Sequence, residues 1–303
     1  MTPKSLPSIS LLALIFGSTL IVSRFSVGQY APLTYVSLRL LLGGLCYMLV
    51  YALSGGRAWP RERRIWRYGP LYGLIGTALP MSCIVGSLQY QSSGITALLL
   101  TSAPAFTVIL AHFFLPDERL NGRKIVGVGL AMSGASALVL LGENGLPDTQ
   151  QANPLGYALA VGGIMFGSVG TIYARRYLRD FDSIDITSVR LWTALAILIP
   201  IAYIVDGLDL SRVGPSGYMA LLYAGLIGTF AGLQLEFRII QRFGATASAI
   251  TANLIPIVAL FGGRLFLDEH ISPTMVLAMI VIILGVSIIT RSESADLAVP
   301  IES

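Results

Sequence analysis

The sequence predicts an all-α integral membrane protein: ten transmembrane helices in two inverted five-helix repeats. Three observations carry this. The 303 residues are 54% hydrophobic and only 12% charged, about half the charge of a soluble domain. Apolar runs of roughly 20 residues, a hydrocarbon core's thickness at about 1.5 Å per residue, recur from end to end. Finally, Gly73-Leu74-Ile75-Gly76-Thr77, Gln89, Pro104 and Asp117-Glu118 return as Gly225-Leu226-Ile227-Gly228-Thr229, Gln241, Pro256 and Asp268-Glu269. The offset is about 152 residues, with the last pair slipped by one, which is an internal duplication. The runs are continuous rather than alternating, which excludes a membrane barrel. No stretch is left for a sizeable water-soluble domain.

The spans fall near 8–27, 33–53, 69–88, 92–115, 124–142, 155–174, 184–205, 217–237, 245–267 and 274–290. The first is long and lacks a clear small-x-small cleavage site, so it reads as a retained helix rather than a signal peptide. Its Phe16-Gly17-Ser18 recurs in the sixth span as Phe166-Gly167-Ser168. The second and seventh match through Leu38-Arg39 and Val189-Arg190. The third and eighth carry glycines on one face, Gly69, Gly73 and Gly76, then Gly225, Gly228 and Gly232, which lets helix backbones approach closely. The fourth and ninth each hold a mid-span proline, and the fifth and tenth match through Gly134 and Gly285. The units are 8–142 and 155–290, followed by a cytoplasmic tail, 291–303. An odd number of spans per unit turns the second unit upside down.

Orientation follows from basic residues in the loops. Lys4, Arg57, Arg61, Arg63, Arg64, Arg67, Arg119, Arg123, Lys124, Arg175, Arg176, Arg179, Arg238, Arg242 and Arg291 fall on one side, against Arg212 and Arg264 on the other. Both termini are therefore expected in the cytoplasm, with the chain multi-pass in the plasma (inner) membrane. The net charge of +4 is explained by these loops and needs no nucleic acid. Cys46 and Cys83 lie in apolar runs and read as small buried hydrophobes. Asp180, Asp182 and Asp185 read as a solvated loop, so no metal and no cofactor is expected. There is no phosphate-binding loop, metalloprotease helix or nucleophile elbow.

Phe16-Gly17-Ser18-Thr19, Pro32-Leu33-Thr34 leading to Leu38-Arg39-Leu40-Leu41-Leu42, and Phe243-Gly244-Ala245-Thr246 to Pro256 with Leu267-Asp268-Glu269 together resemble the EamA family of the drug/metabolite transporter superfamily. The likeness runs from about Ser8 to Thr290. It implies a ten-helix carrier whose central cavity is lined chiefly by spans one to four and six to nine. Similar proteins move small amphipathic metabolites, often amino acids outward; others handle nucleosides or sugars. Phe16 stands where many relatives carry Trp. The first span lacks the acidic residue of the small multidrug-resistance branch, which argues against proton coupling there.

Candidate residues follow from the cost of polarity in a membrane. Pro104 and Pro256 are candidate hinges, each freeing the carbonyl four residues earlier, at Leu100 and Ala252. Cavity candidates are Ser18, Thr19, Ser82, Gln89, Thr101, Ser168, Thr171, Tyr173, Gln234 and Asn253. Arg39, Arg190 and Glu236 are ionisable groups within spans and hence functional suspects, with Glu236 as a gate partner for arginine at the cytoplasmic mouth. The set suggests a moderately polar cavity without a strong fixed charge. The expected function is a secondary exporter of amino-acid-like metabolites working by alternating access. The alternatives are an importer or facilitator of nucleosides or sugars and, more remotely, a membrane-embedded lipid enzyme. Expected partners are a small-molecule substrate and the lipid bilayer, in a monomer or homodimer.

Overall fold

The computed structural model describes residues 6–54, 56, 58–114, 120–147, 152–243 and 245–298, with side chains at 237, 240–250 and 293–298 left aside. Lys4, Arg57, Asp117, Glu118, Arg119 and Gly244 lie outside the described residues, as do the side chains of Gln241, Arg242, Phe243 and Thr246.

The chain is a bundle of ten spans. They are Leu6–Ser26, Pro32–Leu53, Arg63–Ser87, Ser93–Phe114, Gly122–Leu140, Pro154–Tyr177, Ser183–Asp206, Pro215–Leu222 continuing to Phe243, Ala245–Leu267 and Pro273–Ala298. Among the described residues nine helices are long and apolar enough to cross a membrane, and the ninth span adds the shorter apolar stretch Thr251–Leu267. Local chemistry sets their starts. Pro32, Pro154 and Pro215 sit in first turns, where a missing N–H costs nothing. Ser92, Asn121, Asn153 and Asp182 accept hydrogen bonds from the first free amides of the helices they precede. Asp182 is thus a helix cap, and Asp185 accepts a 2.6 Å bond from Tyr51.

Several ends lie beyond the apolar runs. The third span starts at Arg63 rather than near 69, and the tenth runs to Ala298. Hydropathy marks where a helix leaves lipid, while backbone hydrogen bonding continues into water.

The repeated Gly-Leu-Ile-Gly-Thr marks a local departure from α-geometry in both units. Leu74–Ala78 and Tyr223–Ala231 are π-helical, a wide turn that often marks functional positions. The prolines behave differently from each other. The fourth span breaks between Thr101 and Ala103, just before Pro104, whereas the ninth continues through Pro256.

The two units interleave. Span one packs on nine as span six packs on four; two packs on eight as seven packs on three; two meets seven and five meets ten. These principal contacts between units come in related pairs, as a pseudo-two-fold axis in the membrane plane requires. One core cluster joins spans two and three to seven and eight through Tyr35, Leu40, Val85, Leu191 and Ala224. Another joins spans four to six with nine and ten through Leu98, Leu138, Ile164, Leu260 and Ile282. At the contact of five and ten a Cβ on Gly285 would stand 2.6 Å from the Gly127 carbonyl oxygen, and one on Gly127 2.7 Å from that of Gly285. Leu53, Phe113, Leu140, Ile204, Leu265 and Phe266 are exposed around the outside, where lipid would cover them.

Candidate functional site

Two adjoining hollows occupy the middle of the bundle. The larger, about 250 Å³, is walled by spans one, two, three, four and nine: mainly Phe16, Leu20, Met81, Ile84, Val85, Leu88, Leu100 and Ile255, with Thr19, Ser23, Arg39 and Thr101 as its polar groups. The smaller, about 210 Å³, shares Phe16, Arg39 and Met81 with it and adds Thr77 and Gly76, Arg190 and Leu191, and Gly228, Thr229 and Leu233. The walls draw on both units. Leu100 and Ala252, whose carbonyls the two prolines free, both line the larger hollow.

The smaller hollow exists because of the duplicated glycine motif. Small residues let span eight lie against span two, and the π-turn swings Thr229 toward Arg39. Thr229 Oγ1 donates to the Ala224 carbonyl five residues back, at 3.0 Å, and accepts from Arg39 Nε at 2.8 Å. Arg39 Nη1 also reaches Ser23 Oγ at 3.5 Å. The symmetry mate is built from the same residue types and is not joined. Arg190 Nε and Thr77 Oγ1 are both buried without a hydrogen-bond partner among the described residues. Arg190 Nη1 instead donates to Tyr72 Oη at 3.0 Å, with the guanidinium over that ring at 5.5 Å. Position 72 corresponds to Ala224 in the second unit, so there no phenol intercepts Arg39.

Neither hollow has an Asp or Glu in its wall. Arg39 and Arg190 are the charged groups in the two walls, and Glu236 lies close enough to Arg190 to interact with its charge. Arg190 is the charged neighbour of Glu236, which is partly buried, but the hydrogen bond Arg190 makes goes to Tyr72.

Of the remaining predicted residues, Thr19 and Thr101 line the larger hollow, each with its hydroxyl turned back on its own helix, to Ile15 at 2.6 Å and Ala97 at 2.8 Å. That leaves their lone pairs toward the cavity. The others lie off both walls. Ser18 meets Tyr223 Oη at 2.8 Å and Ser168 accepts from Thr107 at 3.0 Å. Thr171 is exposed and bonds back to Gly167, and Gln89 is an exposed loop residue. Tyr173 bonds the Tyr68 carbonyl at 3.3 Å, and Gln234 donates to Tyr47 Oη at 2.9 Å. Ser82 Oγ is buried without a partner, and Asn253 faces Ser287 of span ten at 3.5 Å. The residues not anticipated are Ser23, Thr77 and Thr229. The two threonines close the repeated five-residue motif, so the signal was present; which way the motif faced was not.

A second cluster sits at the bundle end opposite the N-terminus. Glu269 is buried and receives Ser93 N at 2.8 Å and Ser93 Oγ at 2.7 Å, capping the fourth span. Burial pushes its carboxyl above the usual range, while the Ser93 and Gly94 amides and Arg24 pull it back. Arg24 Nη1 donates to the Leu88 carbonyl at 2.9 Å. The 143–145 segment ties in through Ser92 N to Asn144 O at 2.8 Å and His270 N to Gly145 O at 2.9 Å. These bonds hold the ends of spans one, three, four, nine and ten together above the larger hollow. Among the described residues no group of three His, Cys, Asp or Glu could hold a metal.

The comparisons with known proteins agree with this architecture. The profile described as the EamA-like transporter family matches residues 4–140 and again 154–291. Bacillus subtilis "Uncharacterized transporter YoaV" is 22% identical over 90% of this chain and 92% of that protein. The Escherichia coli "Probable amino-acid metabolite efflux pump" is 25% identical over 92% of each chain. The E. coli "Uncharacterized inner membrane transporter YedA" is 26% identical over 96% of this chain and 92% of that one. A crystal structure superposes with a TM-score of 0.66 at 19% identity, covering 96% of this chain and 98% of the other, which bears on the fold alone.

Proposed function

Because this chain belongs to the EamA-like transporter family of the drug/metabolite transporter superfamily, we propose that it exports small amphipathic metabolites, amino acids and their derivatives among them, by alternating access. It is a multi-pass membrane transporter, not an enzyme. The observation that carries the finer reading is the pair of hollows walled by both inverted units, with one arginine common to both. A carboxylate would seat on Arg39, whose charge has no acid in the cavity wall to neutralise it. An apolar side group would fill the larger hollow against Leu20, Met81, Ile84 and Val85. Hydroxyl lone pairs on Thr19 and Thr101 would accept from a substrate amine.

Inverted units make the two access states similar in energy, so a small bias from substrate can drive exchange without ATP. The outward direction is supported by the name of the E. coli efflux relative. The loop arginines support a reading with both termini in the cytoplasm; the protein is read as sitting in the plasma membrane, as monomer or homodimer. The test is counterflow of labelled amino acids and their derivatives in proteoliposomes, together with growth resistance in overproducing cells. Flux no greater than in protein-free vesicles for the whole panel would remove the reading.

A further inference from the structure

The two arginine–threonine pairs are the same construction made twice, yet only one is closed. Arg39 and Arg190 occupy matched positions in spans two and seven, and Thr229 and Thr77 end the two copies of one motif. The contact of spans two and eight is the symmetry mate of seven and three. In the closed pair, Arg39 Nε donates to Thr229 Oγ1 at 2.8 Å. In the open pair, Arg190 Nε and Thr77 Oγ1 are both buried and unpartnered among the described residues. A buried donor and a buried hydroxyl without partners are each costly in a low-dielectric interior. Buried polar groups left unpaired in a native fold call for an explanation, and a second state that pairs them is one.

We propose that Thr229 and Thr77 are positioning residues that hold the two cavity arginines alternately: Thr229 holds Arg39 in the state seen here, and Thr77 holds Arg190 in the oppositely facing state. This rests on the alternating-access reading above. Exchanging the packings of the inverted units carries spans seven and three into the arrangement now held by two and eight. Arg190 then leaves Tyr72 for Thr77, while Arg39 is released from Thr229. One pair is made and one is open in each state, so the free-energy difference between the states stays small. The arginine released from its threonine keeps more donors for a substrate carboxylate, so the cation presented to the substrate changes as the cavity changes side.

The experiment measures state populations directly. Spin labels at Leu141 and Leu210 report one end of the bundle, and labels at Arg61 and Arg179 the other. They are introduced with Cys46 and Cys83 replaced by Ser, in the full-length protein in lipid nanodiscs, and read by double electron–electron resonance. Thr229→Val should deplete the state described here and Thr77→Val should enrich it, each by roughly tenfold to hundredfold in the population ratio, the worth of one charge-assisted hydrogen bond. The double variant should return toward the wild-type ratio. Thr229→Ser and Thr77→Ser keep the hydroxyl and should leave the ratio unchanged, which separates lost bonding from lost packing. Shifts in the same direction, or no shift in either Val variant, would overturn the proposal. Should a Val variant fail to fold, the same comparison is read from Thr→Ala. Counterflow in the wild type is measured alongside. Its absence would count against transport itself, whereas populations unmoved by the Val substitutions, alongside a wild type that transports, would count against the exchange alone.

Discussion

The first and second copies of the Gly-Leu-Ile-Gly-Thr motif both turn π-helical, over Leu74–Ala78 and over the longer Tyr223–Ala231, and reach opposite outcomes. In the second, Thr229 is bonded to Arg39; in the first, Thr77 stands apart while Arg190 is occupied by Tyr72. Backbone geometry is thus dictated by the repeat, and side-chain pairing by what neighbours it. One unmatched residue at the arginine, tyrosine at 72 against alanine at 224, distinguishes the two sites. A duplicated membrane protein needs this combination: near-identical units to keep two states close in energy, and a local asymmetry to select one at rest.

The most severe way to test that comparison is to remove the charge shared by both hollows. Arg39→Gln should lower counterflow by about tenfold or more, since a charged hydrogen bond to substrate is lost, with protein abundance checked by quantitative blotting. Transport at the wild-type rate would mean that the arginine is structural. Next come the contacts that the two units share evenly. Gly127→Ala and Gly285→Ala each drive a Cβ into opposing backbone, which should cost about 1–3 kcal/mol apiece and lower the melting temperature in detergent to a similar degree. An unchanged melting temperature in either would show that the fifth and tenth spans do not approach this closely.

A smaller effect is expected at the asymmetry itself. Tyr72→Phe removes one hydrogen bond to Arg190 and should shift the label-distance populations by several-fold toward the oppositely facing state. A shift the other way would remove Tyr72 as the resting bias. The smallest concerns Glu269. Its folded-state carboxyl binds its proton more tightly than in the unfolded chain, so protonation favours the fold. Stability should rise as pH falls through that raised value toward the ordinary carboxylate range, and be lost as pH rises. The slope should vanish in Glu269→Gln, measured by melting in detergent across mildly acidic to neutral pH.

Much of the fold was legible because lipid leaves few options. Continuous apolar runs dictated helices, and the recurrence of Pro104 at Pro256 and of Arg39 at Arg190 dictated the twofold plan. The candidate site was only partly legible. Thr19, Thr101, Arg39 and Arg190 reach the hollows, but Ser168, Thr171, Gln234 and Asn253 are polar residues of the same spans that face elsewhere. Hydropathy along a nearly uniform apolar helix has little angular contrast, so it marks a hydroxyl's depth and not its direction. The prolines illustrate the same limit: equivalent in sequence, one breaks its helix and the other does not.

The sequence by itself determined that this chain crosses a membrane ten times in two opposed units, because backbone polarity in hydrocarbon permits helices and the residue order repeats. Only the tertiary structure decided which residues form the cavity and that two arginines stand in its walls. Those properties depend on how helices rotate about their axes and interleave across the pseudo-two-fold axis. That rotation is fixed by close packing between residues far apart in the chain, which no single span encodes.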